Sequence, residues 1–354
     1  MELNKLKVVE LASVLAGPAV GMFFAELGAE VTKIENPTTG GDVTRTWKLP
    51  TESAQAAHSA YYCSINWGKK VVFADLSQAT DRQKVYELIA EADIVITNYK
   101  TGDDKKLGVD YATLSALNPQ LIYGQITAFG ETDPRVGYDM VLQAETGFMY
   151  MNGDANGNPV KLPVALIDIL TAHQLKEALL LAIIKRMQTG KGSFVTVSLF
   201  DAAIASLANQ ATNWLIGNVI PQRMGSLHPN IAPYGETFAT TDHKTVVLAV
   251  GSDRQFFNLC KLLNLNNLCT DARFSTNAQR VTHRQLLQNL LMPEIAKLNS
   301  QLFLEKCIAL QVPAAEVRNM QSVFEQSAAQ KMLLTSTMPD GTMAKCVRTI
   351  AFEV

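Results

Sequence analysis

The chain has 354 residues, of which 47% are hydrophobic, and a formal net charge of −2. That length supports a large core and about two domains, and that charge supplies no general basic surface for nucleic acid. The longest strongly apolar run, ALLLAII at 178–184, is far too short to cross a bilayer.

The opening MELNKLKVVEL lacks the apolar core of a signal peptide and reads as a first strand, so a cytoplasmic location is expected. The five cysteines, at 63, 260, 269, 307 and 346, show no CxxC spacing and read as reduced thiols. The five histidines are dispersed, so no metal site is expected.

LKVVEL predicts a strand, AGPAVGMFFAELG a helix stopped by Gly28, and EVTKIE a second strand. The pattern repeats with KKVVFADL (69–76), DRQKVYELIAEA (81–92) and DIVITNY (93–99), and LIYGQITAF (121–129) adds another strand. Strand–helix–strand repetition predicts an open parallel α/β sheet. A dinucleotide fold shares this pattern, but the turn ASVLAGPAVG lacks the GxGxxG fingerprint, which argues against a nicotinamide cofactor.

A helix is predicted from Asp168 to about Gln188, stopped by Gly190. GSFVTVSLF follows as a strand and DAAIASLANQATNWL as one helix. Residues 218–235, NVIPQRMGSLHPNIAPYG, carry three prolines and read as a linker. TFATTDHKTVVLAV predicts a hairpin, helices follow to about residue 310, and VPAAEV reads as a connector. The expected division is a large Rossmann-like α/β domain over residues 1–205 with 320–354, a linker at 206–225, a smaller α+β domain at 226–315, and a return connector at 316–319.

One residue stands apart. In VALIDILTAHQ (164–174), Asp168 is the only formally charged residue between Lys161 and Lys176. A lone carboxylate in an apolar run is costly unless it is solvated, paired or used. Its place just before a helix allows an N-cap role. A helix N-terminus would also favour the ionised form, which can act as a nucleophile.

The segments VLAGPAVGMFFAELGAEVTKIENP, GDVTR, SINWGKKVVFADL, ITNYKTGDDKKLGVDY, ITAFG, GYDMVLQAETG, VALIDI, TGKGSFVTVSLFDAA and HPNIAPYGETF follow one another in order along the chain. In order and spacing they resemble the class III CoA-transferases, which include formyl-CoA and carnitine CoA-transferases, with alpha-methylacyl-CoA racemase as a relative. The resemblance covers nearly the whole chain. It implies an interlocked homodimer and an acyl-CoA:carboxylate CoA-transferase, with acyl-CoA and a small carboxylic acid as substrates and no separate cofactor.

The resemblance also assigns roles. Asp168 matches the nucleophile, which would pass through an aspartyl–acyl anhydride and an aspartyl-CoA thioester. Val14, Leu15 and Ala16 match the loop on the adenine side of CoA, and Asn98 and Tyr99 match an Asn-Phe pair along it. Lys69 and Lys106 match basic positions near the CoA phosphates; read by itself, Lys106 beside Lys105 is a solvated charge pair. Tyr138 and Asp139 match the border of the acyl site.

Three positions depart from the pattern. Asn36 stands where formyl-CoA transferase has arginine, RMGSLHPNIAPYG lacks that enzyme's glycine run, and the sequence stops at AFEV where many relatives continue. Two alternatives follow. A racemase or epimerase on the same scaffold would need a second base; its relatives use histidine where this chain has Tyr138, and an ordinary tyrosine pKa of about 10 suits that task poorly. A catalytically degenerate CoA-binding protein is the other.

Overall fold

The computed structural model describes residues 3–337, 341 and 343–353. The chain divides into two compact units: Met1–Met149 with Lys161–Pro221 and Gln330–Val354, and Tyr150–Val160 with Gln222–Ala329. Residues 206–221, expected in the linker, therefore belong to the first unit, and the excursion 150–160 joins the second.

The first unit is built on six parallel strands: β1 (Lys7–Leu11), β2 (Glu30–Glu35), β3 (Lys70–Phe73), β4 (Ile94–Thr97), β5 (Ile122–Thr127) and β6 (Ser193–Ser198), in the order β3-β2-β1-β4-β5-β6. Strand alternation feeds two cores. Val8, Ile94, Ile96 and Ile122 join one apolar cluster with α1 (Ala16–Glu26) and, further along, α4 (Leu166–Thr189). Val9, Leu11, Val95 and Tyr123 join the other with Val85 and Ile89 of α2 (Ala79–Ala90). Helices on both faces explain why the central strands are almost continuously apolar. α1 stops at Gly28, whose φ of +89° favours glycine.

The strand order reverses between β1 and β4, and in open α/β sheets the crevice at such a reversal is where ligands bind. α3 (Asp139–Glu145), α5 (Leu199–Ala205) and α6 (Ala208–Leu215) complete the helices used below. The single helix expected over 201–215 is thus two, separated where Ala208 takes a φ of +47°. An antiparallel hairpin, Leu333–Thr337 with Met343–Val347, belongs to the same unit, where Trp67 Nε1 donates to the Thr335 carbonyl.

The second unit holds an antiparallel sheet of β7 (Tyr234–Ala239), β8 (Thr245–Ala249) and β9 (Ala314–Glu316). VPAAEV is therefore an edge strand, not only a connector. Phe238, Val246 and Leu248 pack with Phe256 and Leu259 of α7 (Asp253–Leu262), Leu287 and Leu291 of α8 (Arg284–Ile295), and Phe303 of α9 (Ser300–Ala309).

No helix among the described residues is long and apolar enough to cross a membrane. No disulfide joins any of the five cysteines.

Candidate active site

A pocket of about 210 Å³ opens in the first unit beside the carboxyl ends of β1, β4 and β5. Its wall includes Val14, Leu15 and Ala16 after β1, Asn98 and Tyr99 after β4, and Tyr138, with Asp168 also lining it. The fold thus brings seven of the ten expected site residues to one cavity, although they span 155 positions of sequence (168 − 14 + 1).

The loop between β1 and α1 is tightly held. Asn98 accepts from the Ser13 amide at 3.0 Å and donates to the Ser13 carbonyl at 2.7 Å. Val14 has a φ of +72°, a left-handed conformation that is strained for a β-branched residue. Its amide donates to the Asp42 carboxylate at 3.3 Å.

Asp168 sits in the first turn of α4, which starts at Leu166 with Ala165 at the cap position. The N-cap expectation is therefore corrected: Asp168 is the third residue of the helix and caps nothing. The capping acceptor comes from another element, because Asp139 Oδ1 accepts from the Ile167 amide at 2.8 Å. The other Asp139 oxygen accepts from Gln143 Nε2 at 2.6 Å, and Gln143 Oε1 accepts from the Leu162 amide at 2.8 Å. Asp139 is thus turned toward the chain leading into α4 and does not line the pocket, contrary to its expected place on the acyl border.

Asp168 is only 8% exposed, lines the pocket, and has no hydrogen-bond or ion-pair partner among the described residues. Burial, and then the nearby Asp139 charge, push its carboxyl up to about 7. Both causes favour the neutral form, against the ionised form expected at a helix N-terminus. Burial, then the charges of Asp168, Asp139 and Asp42, push the nearby Tyr61 phenol up to about 12.

Two basic residues depart from their expected roles. The Lys69 side chain is wholly buried; its ammonium lies 2.8 Å from Glu10 Oε2 and donates to the Pro18 carbonyl and Asn66 Oδ1. Buried in this way, the ammonium does not line the pocket. Burial pushes its pKa down to about 7 despite the Glu10 charge. Lys106 lies outside the pocket, 76% exposed along its side chain, and pairs with Asp103 at 2.8 Å within one short helix. The cations that do line the pocket are Lys100 and Arg135, which sequence reasoning passed over. Their only signal was adjacency to the quoted Asn98-Tyr99 and Gly137-Tyr138 motifs. Arg135 is engaged by Asp133 and Glu145 and lies 3.7 Å from the Phe129 ring centroid; Lys100 has no ion-pair partner among the described residues.

No group of three or more potential ligands that could hold a metal ion occurs among the described residues. The pocket offers an unpaired buried carboxylate with cations beside it, a set suited to nucleophilic chemistry on an anionic substrate.

The family model for CoA-transferase family III matches residues 3–353, and the chain belongs to that family. It is 40% identical to the succinate–glutarate CoA-transferase of Agrobacterium fabrum, over 98% of this chain and 88% of that protein. The human succinyl-CoA:glutarate CoA-transferase is 34% identical over 97% of this chain and 78% of its own length. A CaiB/BaiF family protein from Brucella suis, solved by crystallography, superposes with a TM-score of 0.85 at 40% identity, covering 99% of this chain and 92% of that one. The chain is accordingly a class III CoA-transferase, an enzyme acting on acyl-CoA and carboxylate substrates.

Proposed function

We propose that this enzyme moves CoA between dicarboxylic acids, with succinyl-CoA as donor and glutarate as acceptor, through covalent intermediates on Asp168. The observation that carries this reading is the unpaired, pocket-facing carboxylate of Asp168 at 8% exposure. The named activities of the relatives support the choice of acids.

In this mechanism an Asp168 oxygen attacks the thioester carbonyl of the donor. The C–S bond breaks, giving an aspartyl–acyl anhydride and CoA thiolate. The thiolate attacks the aspartyl carbonyl, forming an aspartyl-CoA thioester and releasing the donor acid as its carboxylate. The acceptor carboxylate then attacks that thioester, forming a new anhydride and thiolate. Attack of the thiolate on the acceptor carbonyl yields the new acyl-CoA and restores Asp168. Each step exchanges one acyl bond for another, and covalent catalysis divides a difficult exchange into easier ones.

The β1–α1 loop and Asn98 contact CoA in this reading, and Lys100 and Arg135 supply positive charge for its phosphates. Tyr138 borders the acyl group. A homodimer belongs to the same reading; exposed Trp214, Leu215, Ile216 and Val219 give an apolar stretch that association would cover.

The test is Asp168→Ala assayed for CoA exchange between succinyl-CoA and glutarate. The variant should bind CoA and transfer nothing, because alanine removes only the attacking group. Normal transfer would rule out Asp168 as nucleophile.

A further inference from the structure

We propose that Lys69 is a positioning residue: with Glu10, Lys33 and Asp42 it forms a buried charge network that presets the β1–α1 loop for acyl-CoA. This inference rests on reading the pocket as the acyl-CoA site.

The network arises from the fold. Parallel pairing of β1 with β2 sets Glu10 opposite Lys33. The Lys33 ammonium lies 2.8 Å from Glu10 Oε1 and 3.0 Å from Asp42 Oδ2, and donates to the Ala12 carbonyl at 2.7 Å. The second Glu10 oxygen meets Lys69. All four side chains are wholly shielded from solvent. A Cβ at position 21 would collide with the Glu10 carboxylate, so glycine in α1 makes room for it.

The contacts to the backbone give the network its role. Lys33 holds the Ala12 carbonyl, Asp42 holds the Val14 amide, and Lys69 holds the Pro18 carbonyl. These points bracket Val14, Leu15 and Ala16, the residues that line the pocket. A strained Val14 persists only where its surroundings over-determine it, and Asp42 supplies one of those restraints. Burying paired charges is weak evidence for a gain in stability, whereas fixing a unique local structure is a better attested use of such groups. Lys69 therefore acts on the ligand through the loop and not by contact.

The test combines Glu10→Gln with Lys69→Met, which removes both charges of the buried pair together, and folding is checked by circular dichroism and thermal unfolding. With glutarate as acceptor, KM for succinyl-CoA should rise roughly tenfold, about the effect of one charged hydrogen bond. kcat should stay within about threefold, as expected when ground-state and transition-state binding are lost together. The slope of log KM against log salt should match wild type. An unchanged KM overturns the proposal, as does a flattened salt slope, which would make Lys69 a direct phosphate contact.

Should the double variant fail to fold, Asp42→Asn carries the test. It keeps an oxygen for Val14 but removes the charge facing Lys33; its KM should rise by about threefold or more, and an unchanged KM overturns the proposal. Leu15→Glu, in the pocket but outside the network, separates the two readings. If it raises KM while the network variants do not, only this proposal fails. If it too leaves KM unchanged, the assignment of the pocket fails with it.

Discussion

Asp139 accepts a hydrogen bond from the Ile167 amide at 2.8 Å, immediately before Asp168. The same carboxylate that anchors the first turn of α4 also helps to raise the pKa of the nucleophile candidate. Asp139→Asn separates these effects: it keeps an acceptor for Ile167 but removes the charge. The acid limb of kcat/KM against pH should shift to lower pH, and stability should fall by about 1 kcal/mol because the bond from Gln143 Nε2 is lost. Asp139→Ala should also lose the cap, destabilising the protein by about 1 kcal/mol. A pH profile that both variants leave unchanged would disconnect Asp139 from the chemistry.

The pH dependence of wild type follows from Asp168 itself. A nucleophilic carboxylate must be ionised, and this one is pushed up to about 7. Transfer activity should therefore fall as pH drops through about 7, well above the usual carboxylate range. kcat/KM for acyl-CoA measured from pH 5 to 9 checks this. A profile flat down to pH 5 would contradict it.

Stability should show the opposite preference. The folded pKa of Asp168 lies above its unfolded value of 3.8. The folded state therefore binds more protons between those values, and stability is lost as pH rises from about 4 through 7. Asp168→Asn removes that loss. At pH 8 it should stabilise the protein by at most roughly 4 kcal/mol, and below pH 4 by almost nothing. Denaturant titrations at pH 4 and pH 8 test the sign; an equal effect at both would contradict it.

The charges around the pocket should not contribute equally. Lys100→Ala should weaken CoA binding about tenfold, because it removes an unpaired cation. Lys106→Ala should change it by less than about twofold, since an exposed i,i+3 pair contributes little. Calorimetric titration with CoA at two salt concentrations distinguishes them. Equal losses would return Lys106 to the site.

Strand–helix repetition made the open parallel α/β sheet legible in the sequence. Asp168, Asn98, Tyr99 and the Val14–Ala16 loop were legible only through the family resemblance; the reversal of strand order in the fold then explains why they meet at one edge of the sheet. Side-chain direction was less accessible. Lys69 lies next to β3 yet turns inward, because Glu10 on β1 waits there; the clue was a pair of opposite charges, Glu10 and Lys33, one in each strand of the first strand–helix–strand unit. Asp139 carried no sequence sign that it would cap a helix starting 27 positions after it (166 − 139). The start of α4 was misplaced because Ala165 offers no capping side chain, leaving Asp168 as the apparent signal. The break at Ala208 depends on a backbone conformation that alanine seldom takes, so composition gave no warning.

The most direct measurement is mass spectrometry of wild-type enzyme incubated with succinyl-CoA and quenched with hydroxylamine. The peptide containing VALIDIL should carry a hydroxamate on Asp168, formed from its activated carbonyl, and Asp168→Ala should carry none. Active enzyme whose Asp168 peptide remains unmodified, or that is trapped at another residue, would contradict covalent catalysis by Asp168.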